Sequence, residues 1–163
     1  MKQLLVLRHA KSSWKDDSLA DFDRPLNKRG KMDAPRMGEL LDKLNLTPDL
    51  IITSAAKRAR LTAQAVADRS GFDAEVSATR ALYMASSDDY VAVLNEVPDS
   101  NRLVMVVGHN PGIEDLVQDL TGRWERMPTA ALAHIELDLG SWQSLDLDTA
   151  GILVNIWYPK ELL

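Results

Sequence analysis

Three short runs of apolar and β-branched residues, Leu4 to Leu7, Leu50 to Thr53 and Leu103 to Val107, are set far apart in the chain. Runs of this length suit strands covered on both faces, as in a parallel sheet between helix layers. Between them apolar residues recur at helical spacing. Met37, Leu40, Leu41 and Leu44 mark one helix, with Pro48 as its stop, and Pro35 either lies in a first turn beginning near Asp33 or kinks the helix. Ser54 is expected to cap a second helix running through Ala59, Ala63 and Val66 to Gly71. A third spans about Ser87 to Val97, with Val91 and Leu94 inward and Pro98 following. Asn110-Pro111 then opens a fourth, which carries Ile113, Leu116, Val117 and Leu120 and closes at Gly122.

The last quarter changes period. Ala133, Ile135, Leu137 and Leu139 alternate with His134, Glu136 and Asp138, a strand with one dry and one wet face that leaves His134 on the surface. Gly140 leads into a second extended segment, and Ile152 to Tyr158 reads as a further strand. The pattern predicts a single domain over residues 1–163. Its expected architecture is a three-layer α/β/α sandwich with a mostly parallel central sheet and antiparallel strands added near the C-terminus.

A chain of 163 residues buries a core without staples, and with no cysteine it has neither disulfides nor a thiolate nucleophile. No apolar run approaches the roughly 18 residues of a membrane span, and the opening residues are not a signal peptide, so a cytoplasmic protein with no membrane partner is expected. The net charge of −5 argues against a nucleic-acid partner, but it is unevenly spread. Residues 1 to 60 hold 13 Lys/Arg against 8 Asp/Glu, and the rest hold 6 against 16. A basic first third fits either a local anion site or a solvated helix face.

Two of the three histidines stand at equivalent places: His9 directly follows the first strand, and His109 the third. Ser54 follows the second and opens the helix that carries Arg58. In open α/β sheets ligands bind beyond the carboxyl ends of the strands, so these turns can converge on one pocket containing Arg8, His9, Arg58 and His109. Guanidinium groups and helix N-termini make that pocket an anion site, with phosphate its natural guest. No GxxxxGK[ST] or GxGxxG motif supports a nucleotide fold. Each feature alone has a plainer reading: Arg58 as a solvated helix arginine, the Gly108-His109-Asn110-Pro111 turn as a helix start. The case rests on their convergence.

A histidine kept neutral by neighbouring positive charge retains its lone pair near pH 7. His9 then suits in-line attack on phosphorus, and His109 suits donation to the transferring oxygens.

Leu7-Arg8-His9-Ala10, the stretch from Ser54 to Ala63, and Val107-Gly108-His109-Asn110-Pro111-Gly112 together resemble the histidine phosphatase superfamily, the phosphoglycerate-mutase-like proteins. The short SixA-type phosphohistidine phosphatases look most similar, and the similarity spans nearly the whole chain. The resemblance implies that His9 is the phosphorylated nucleophile, that Arg8, Arg58 and His109 form the phosphate pocket, and that neither metal nor organic cofactor is needed. Asp23 to Gly30 belongs to the same pattern, with Arg24 either supporting the loop, contacting substrate or forming a structural ion pair.

One departure bears on substrate. Larger members carry an acidic residue that protonates the leaving group, and the corresponding stretch here, Ala81-Leu82-Tyr83-Met84-Ala85, has no carboxylate. Asp16, Asp17 or Asp21 can substitute geometrically, or all three are ordinary loop acids. A phosphate ester needs a proton on its leaving oxygen, whereas a phosphoramidate protonated on nitrogen leaves as neutral imidazole. Short loops at the strand ends leave little material for a lid. Both points favour protein phosphohistidine, carried by a phosphotransfer-type partner, as substrate. A small-molecule phosphatase using the same site and a non-catalytic phospho-recognition module are the competing readings. The sequence does not set the oligomeric state, and a monomer is the favoured expectation.

Overall fold

In β1 (Lys2–Arg8), Leu4 and Val6 belong to one apolar core while Leu5 and Leu7 belong to another. In β4 (Leu103–Gly108), Val104 and Val106 likewise separate from Leu103, Met105 and Val107. This is the period-2 alternation of a strand between two cores, which explains why these runs contain no polar positions. The computed structural model describes residues 1–162. It adds β2 (Leu50–Ser54), β3 (Ser77–Thr79), β5 (Leu132–Leu137) and β6 (Gly151–Trp157) in one sheet of order β3-β2-β4-β1-β5-β6. β1, β2, β3 and β4 run parallel, and β5 and β6 are added antiparallel.

Helices α1 (Lys28–Lys43) and α2 (Lys57–Ser70) cover one face through Met37, Leu41, Ala59, Ala63 and Val66. Helices α3 (Ser87–Asn95) and α4 (Gly112–Thr121) cover the other through Tyr90, Leu94, Ile113, Leu116 and Leu120. The architecture is the expected three-layer α/β/α sandwich. Gly71 and Gly122 close α2 and α4 at φ of 85° and 72°, a left-handed conformation that glycine adopts without a Cβ clash.

Several local expectations change. Helix α1 begins at Lys28, where Asn27 caps it by accepting from the Gly30 amide at 2.9 Å, and it runs through Pro35. Ala56, not Ser54, is the N-cap of α2. Helix α4 starts at Gly112, one residue after Pro111. The segment after Gly140 is no strand but a 3-10 turn, Trp142–Ser144. It is held there because the fully buried Trp142 donates its indole N–H to the Asn101 carbonyl at 2.7 Å. β3 has no apolar alternation by which to read it. The connection after β1 spans residues 9–27 and is not short.

What positions the site is the common direction of β1, β2 and β4, whose carboxyl ends lie side by side. At the end of β4 the Tyr90 hydroxyl packs against Gly108 and accepts from the His109 amide at 3.3 Å, so a Cβ at Gly108 would run into that hydroxyl. Gly108→Ala is therefore expected to lower the unfolding free energy by about 1–3 kcal/mol in urea titrations. Adding Tyr90→Phe removes the clashing oxygen, so the double variant is expected to lose less than the sum of the two single losses. Simple additivity would contradict this packing.

Candidate active site

His9 continues the β1 ladder by one bond, its amide donating to the Gly108 carbonyl at 3.0 Å, and there the chain turns. The turn is pinned from α2. The Ala10 amide donates to Thr62 Oγ1 at 2.9 Å, and that hydroxyl donates to the Arg58 carbonyl at 2.7 Å. The peptide so fixed aims the Ala10 carbonyl at His9 Nδ1, 2.7 Å away. A carbonyl only accepts, so Nδ1 carries the proton and Nε2 the lone pair. His9 is only 6% exposed and lines the cavity. Burial is the main force lowering its pKa to about 3. The Ala10 bond opposes the shift, and His109, Arg58 and Arg8 add to it.

His109, at the end of β4, faces His9 with ring centroids 5.1 Å apart. Its Nε2 lies 2.8 Å from Ser54 Oγ, and its Nδ1 lies 3.4 Å from an Nη of Arg58. Arginine can only donate, so Nδ1 accepts and Nε2–H donates to Ser54. Burial first, then the Arg58 charge, lowers the pKa of this imidazole to about 4, against the opposing pull of Asp21. Arg58 thus sets the His109 tautomer, and the Ser54 hydroxyl that receives Nε2–H also accepts from the Ala56 amide at 3.2 Å.

Arg8 reaches the same cavity from β1, with Nη1 donating to the Met127 carbonyl at 3.1 Å, and burial lowers its pKa. The loop that supplies Met127 is tied to the site where the Ala130 amide donates to the Arg8 and His9 carbonyls, both at 3.1 Å. The cavity measures about 310 Å³, and among its lining residues are Arg8, His9, Lys11, Arg24, Arg58, His109, Asn110 and Thr129. No carboxylate is among them. Nε of Arg8 and Nε of Arg58 are buried with no hydrogen-bond partner among the described residues. Buried donors left unpaired beside a cationic cavity are suited to an anion's oxygens.

Of the three candidate acids, Asp21 is the one brought to the site. Its carboxylate accepts from Arg58 at 3.0 Å, from the Tyr83 hydroxyl at 2.6 Å and from Arg24 Nε at 3.2 Å. Partial burial works against ionisation, but the bonds from Tyr83 and Arg58 prevail and hold the pKa at about 2. Asp21 is therefore a fixed carboxylate and not a proton donor at neutral pH. Asp16 is spent on Ser18 in the exposed loop. Arg24 is buried, donates to Ser12 Oγ at 2.8 Å and stacks 3.4 Å from the Trp14 ring centroid, so it organises the loop and also lines the cavity.

His134 is not on the surface. It is 6% exposed, lies 2.6 Å from Gln3 Oε1 and stacks on Trp157, because β5 lies inside the sheet between β1 and β6. Sequence reasoning gave no role to Tyr83, Thr62 or Thr129: Thr62 lies within the Ser54 to Ala63 motif and Tyr83 within the stretch noted for lacking a carboxylate, but no motif or period marks Thr129. Among the described residues no group of three or more His, Cys, Asp or Glu side chains is placed to hold a metal ion. Among the described residues no helix is long and apolar enough to cross a membrane.

Comparison with known proteins places this geometry in context. The model of the histidine phosphatase superfamily, branch 1, matches residues 4–83. An uncharacterised chloroplastic protein of Arabidopsis thaliana is 35% identical over 152 residues, 87% of this chain and 69% of that protein. An uncharacterised protein of Mycobacterium leprae is 31% identical over 160 residues, covering 90% of this chain and 96% of that one. The crystal structure assigned as phosphohistidine phosphatase SixA of Agrobacterium tumefaciens superposes with a TM-score of 0.82 at 28% identity, covering 97% of this chain and 98% of that one.

Both buried imidazoles are expected to stay neutral through pH 5 when ring resonances are followed by NMR, with midpoints of about 3 for His9 and about 4 for His109. An unfolded histidine takes up its proton near 6.5, so between 6.5 and those midpoints the unfolded chain binds more protons than the native one. The stability these groups confer is complete above about 6.5 and is lost as the pH falls toward 3. A midpoint near 6.5 for either ring would contradict the site as described.

Proposed function

This chain belongs to the histidine phosphatase superfamily, and from that premise we propose that it hydrolyses protein phosphohistidine through a phosphoenzyme on His9. The observation that carries the reading is the His9 Nδ1 bond to the Ala10 carbonyl beside two guanidinium groups with unpaired Nε donors. It sets the tautomer of an uncharged imidazole in a pocket suited to a phosphoryl dianion.

In this account Nε2 of His9 attacks phosphorus, the P–N bond to the substrate's imidazole breaks, and the departing imidazole leaves neutral, having been protonated beforehand from solvent. Water then attacks the phosphoenzyme, releasing phosphate and restoring His9. Arg8 and Arg58 receive the equatorial oxygens. The dianion offsets the charge of Arg58 and so raises the proton affinity of His109, whose Nδ1 then becomes a second donor to phosphate while Nε2–H stays on Ser54.

The choice of a phosphoramidate follows from the absence of a carboxylic acid. The cavity is lined by no carboxylate, and Asp21 is held ionised by Arg58 and Tyr83. An alkoxide leaving group would find no carboxylic acid to protonate it, whereas imidazole does not need one from the enzyme. The exposed Trp14 is among the residues that line the basic cavity, which suits a side chain presented by another protein.

Phosphate release from a phosphohistidine peptide is expected to show a far higher kcat/KM than release from a sugar phosphate. His9→Ala should abolish it, and Arg58→Ala should lower kcat by about 100- to 1,000-fold. Equal kcat/KM for the sugar phosphate would overturn the substrate assignment, and turnover surviving in His9→Ala would overturn the nucleophile. Phosphate binding without turnover of either substrate would make the protein a recognition module.

A further inference from the structure

A second and larger cavity, about 1090 Å³, adjoins the first and shares Lys11, Ser12 and Trp14 with it. Its charged lining is wholly cationic: Lys11, Lys15, Lys28, Arg29 and Lys31. Arg29 pairs with Asp33 at 3.1 Å, but among the described residues none of the four lysines forms an ion pair, although the chain holds 24 acidic residues. Three of these cations sit in the first turn of α1, which has no acidic residue, and there the helix dipole disfavours positive charge. Local helix stability therefore does not account for them.

The groove is rigidly registered to the active site. The Asn27 amide donates to the Lys11 carbonyl at 3.0 Å and the Ser13 amide to the Pro25 carbonyl at 2.8 Å, while Ser12 and Leu26 form a bridge. Gly30 lies so close to the Lys11 backbone that no side chain would fit. Apolar surface lies among the charges. Trp14 is 76% exposed, with Arg24 stacked on its ring, and Met32 is 50% exposed. Large apolar side chains left exposed beside an unpaired basic row fit a protein partner better than a small ion.

We infer that this groove docks an acidic protein segment carrying the phosphorylated side chain, with flanking Asp and Glu residues along the lysines and an apolar residue against Trp14 and Met32. The inference rests on the proposed phosphohistidine phosphatase activity for the group that enters the smaller cavity. Charge complementarity commits it to an acidic partner. It also explains why an acidic protein keeps an unneutralised basic surface beside its site, since like charge elsewhere on the chain would otherwise repel such a partner.

The test compares wild type with Lys15→Glu/Lys28→Glu/Lys31→Glu, three exposed positions outside the catalytic cavity. Two of the changes place acid in the first turn of α1, where it favours the helix, so the melting temperature should not fall. An unphosphorylated acidic peptide with a central histidine is titrated by fluorescence anisotropy, and phosphate release is measured from its phosphohistidine form and from p-nitrophenyl phosphate. The triple variant should bind the acidic peptide at least tenfold more weakly, with a flatter salt dependence, and raise KM for its phosphorylated form. Turnover of p-nitrophenyl phosphate should be unchanged. Unchanged peptide affinity would overturn the inference, as would equal losses on both substrates. If wild type turns over neither substrate, the proposed activity fails, and the binding comparison still decides the groove.

Discussion

Two imidazoles and two guanidinium groups share one cavity of about 310 Å³, where burial first, and the neighbouring positive charge second, keeps the imidazoles uncharged. Burial drives His9 and His109 in the same direction. The consequence is chemical as well as electrostatic: a neutral His9, fixed by the Ala10 carbonyl, presents a lone pair beside two guanidinium groups with unpaired Nε donors, the arrangement on which the proposed phosphoenzyme rests. Thr62 supports that geometry from α2 by holding the Ala10 amide, so helix packing and the His9 tautomer are coupled through one hydroxyl. Asp21 plays the complementary part for Arg58. By engaging its Nη groups through both carboxylate and backbone carbonyl, it fixes the guanidinium plane while leaving Nε unpaired.

The sheet makes this possible because its parallel strands end on one edge. That much was legible in the sequence, since runs without polar positions mark strands between two cores, and Arg8-His9 and Gly108-His109 stand where such runs stop. The switch to strict alternation likewise marked the antiparallel addition near the C-terminus. Neither reading needs tertiary information, only the side-chain periods of strand and helix.

The rest was hidden for physical reasons. Asp21 and Tyr83 are 62 positions apart and meet only because the 9–27 connection folds back toward α2. Ser54 looked like a helix cap because its chemistry suits one, but the cap is Ala56, and the Ser54 hydroxyl meets the Ala56 amide and the His109 ring. His134 sits at a polar position of an alternating strand, and only the addition of β6 beyond β5, with Trp157 over the ring, buries it. Long-range hydrogen bonds and the covering of one strand by another leave no local period to read.

The account stands on which nitrogen of His9 is free. The direct measurement is NMR of chain labelled with 15N in its histidines and reacted with a phosphohistidine peptide, the phosphoenzyme being trapped at low temperature and the 31P–15N coupling observed. The account predicts that the phosphoryl group is bonded to Nε2 of His9, with Nδ1 still protonated toward the Ala10 carbonyl. A phosphoryl group on Nδ1, or on another residue, would contradict it.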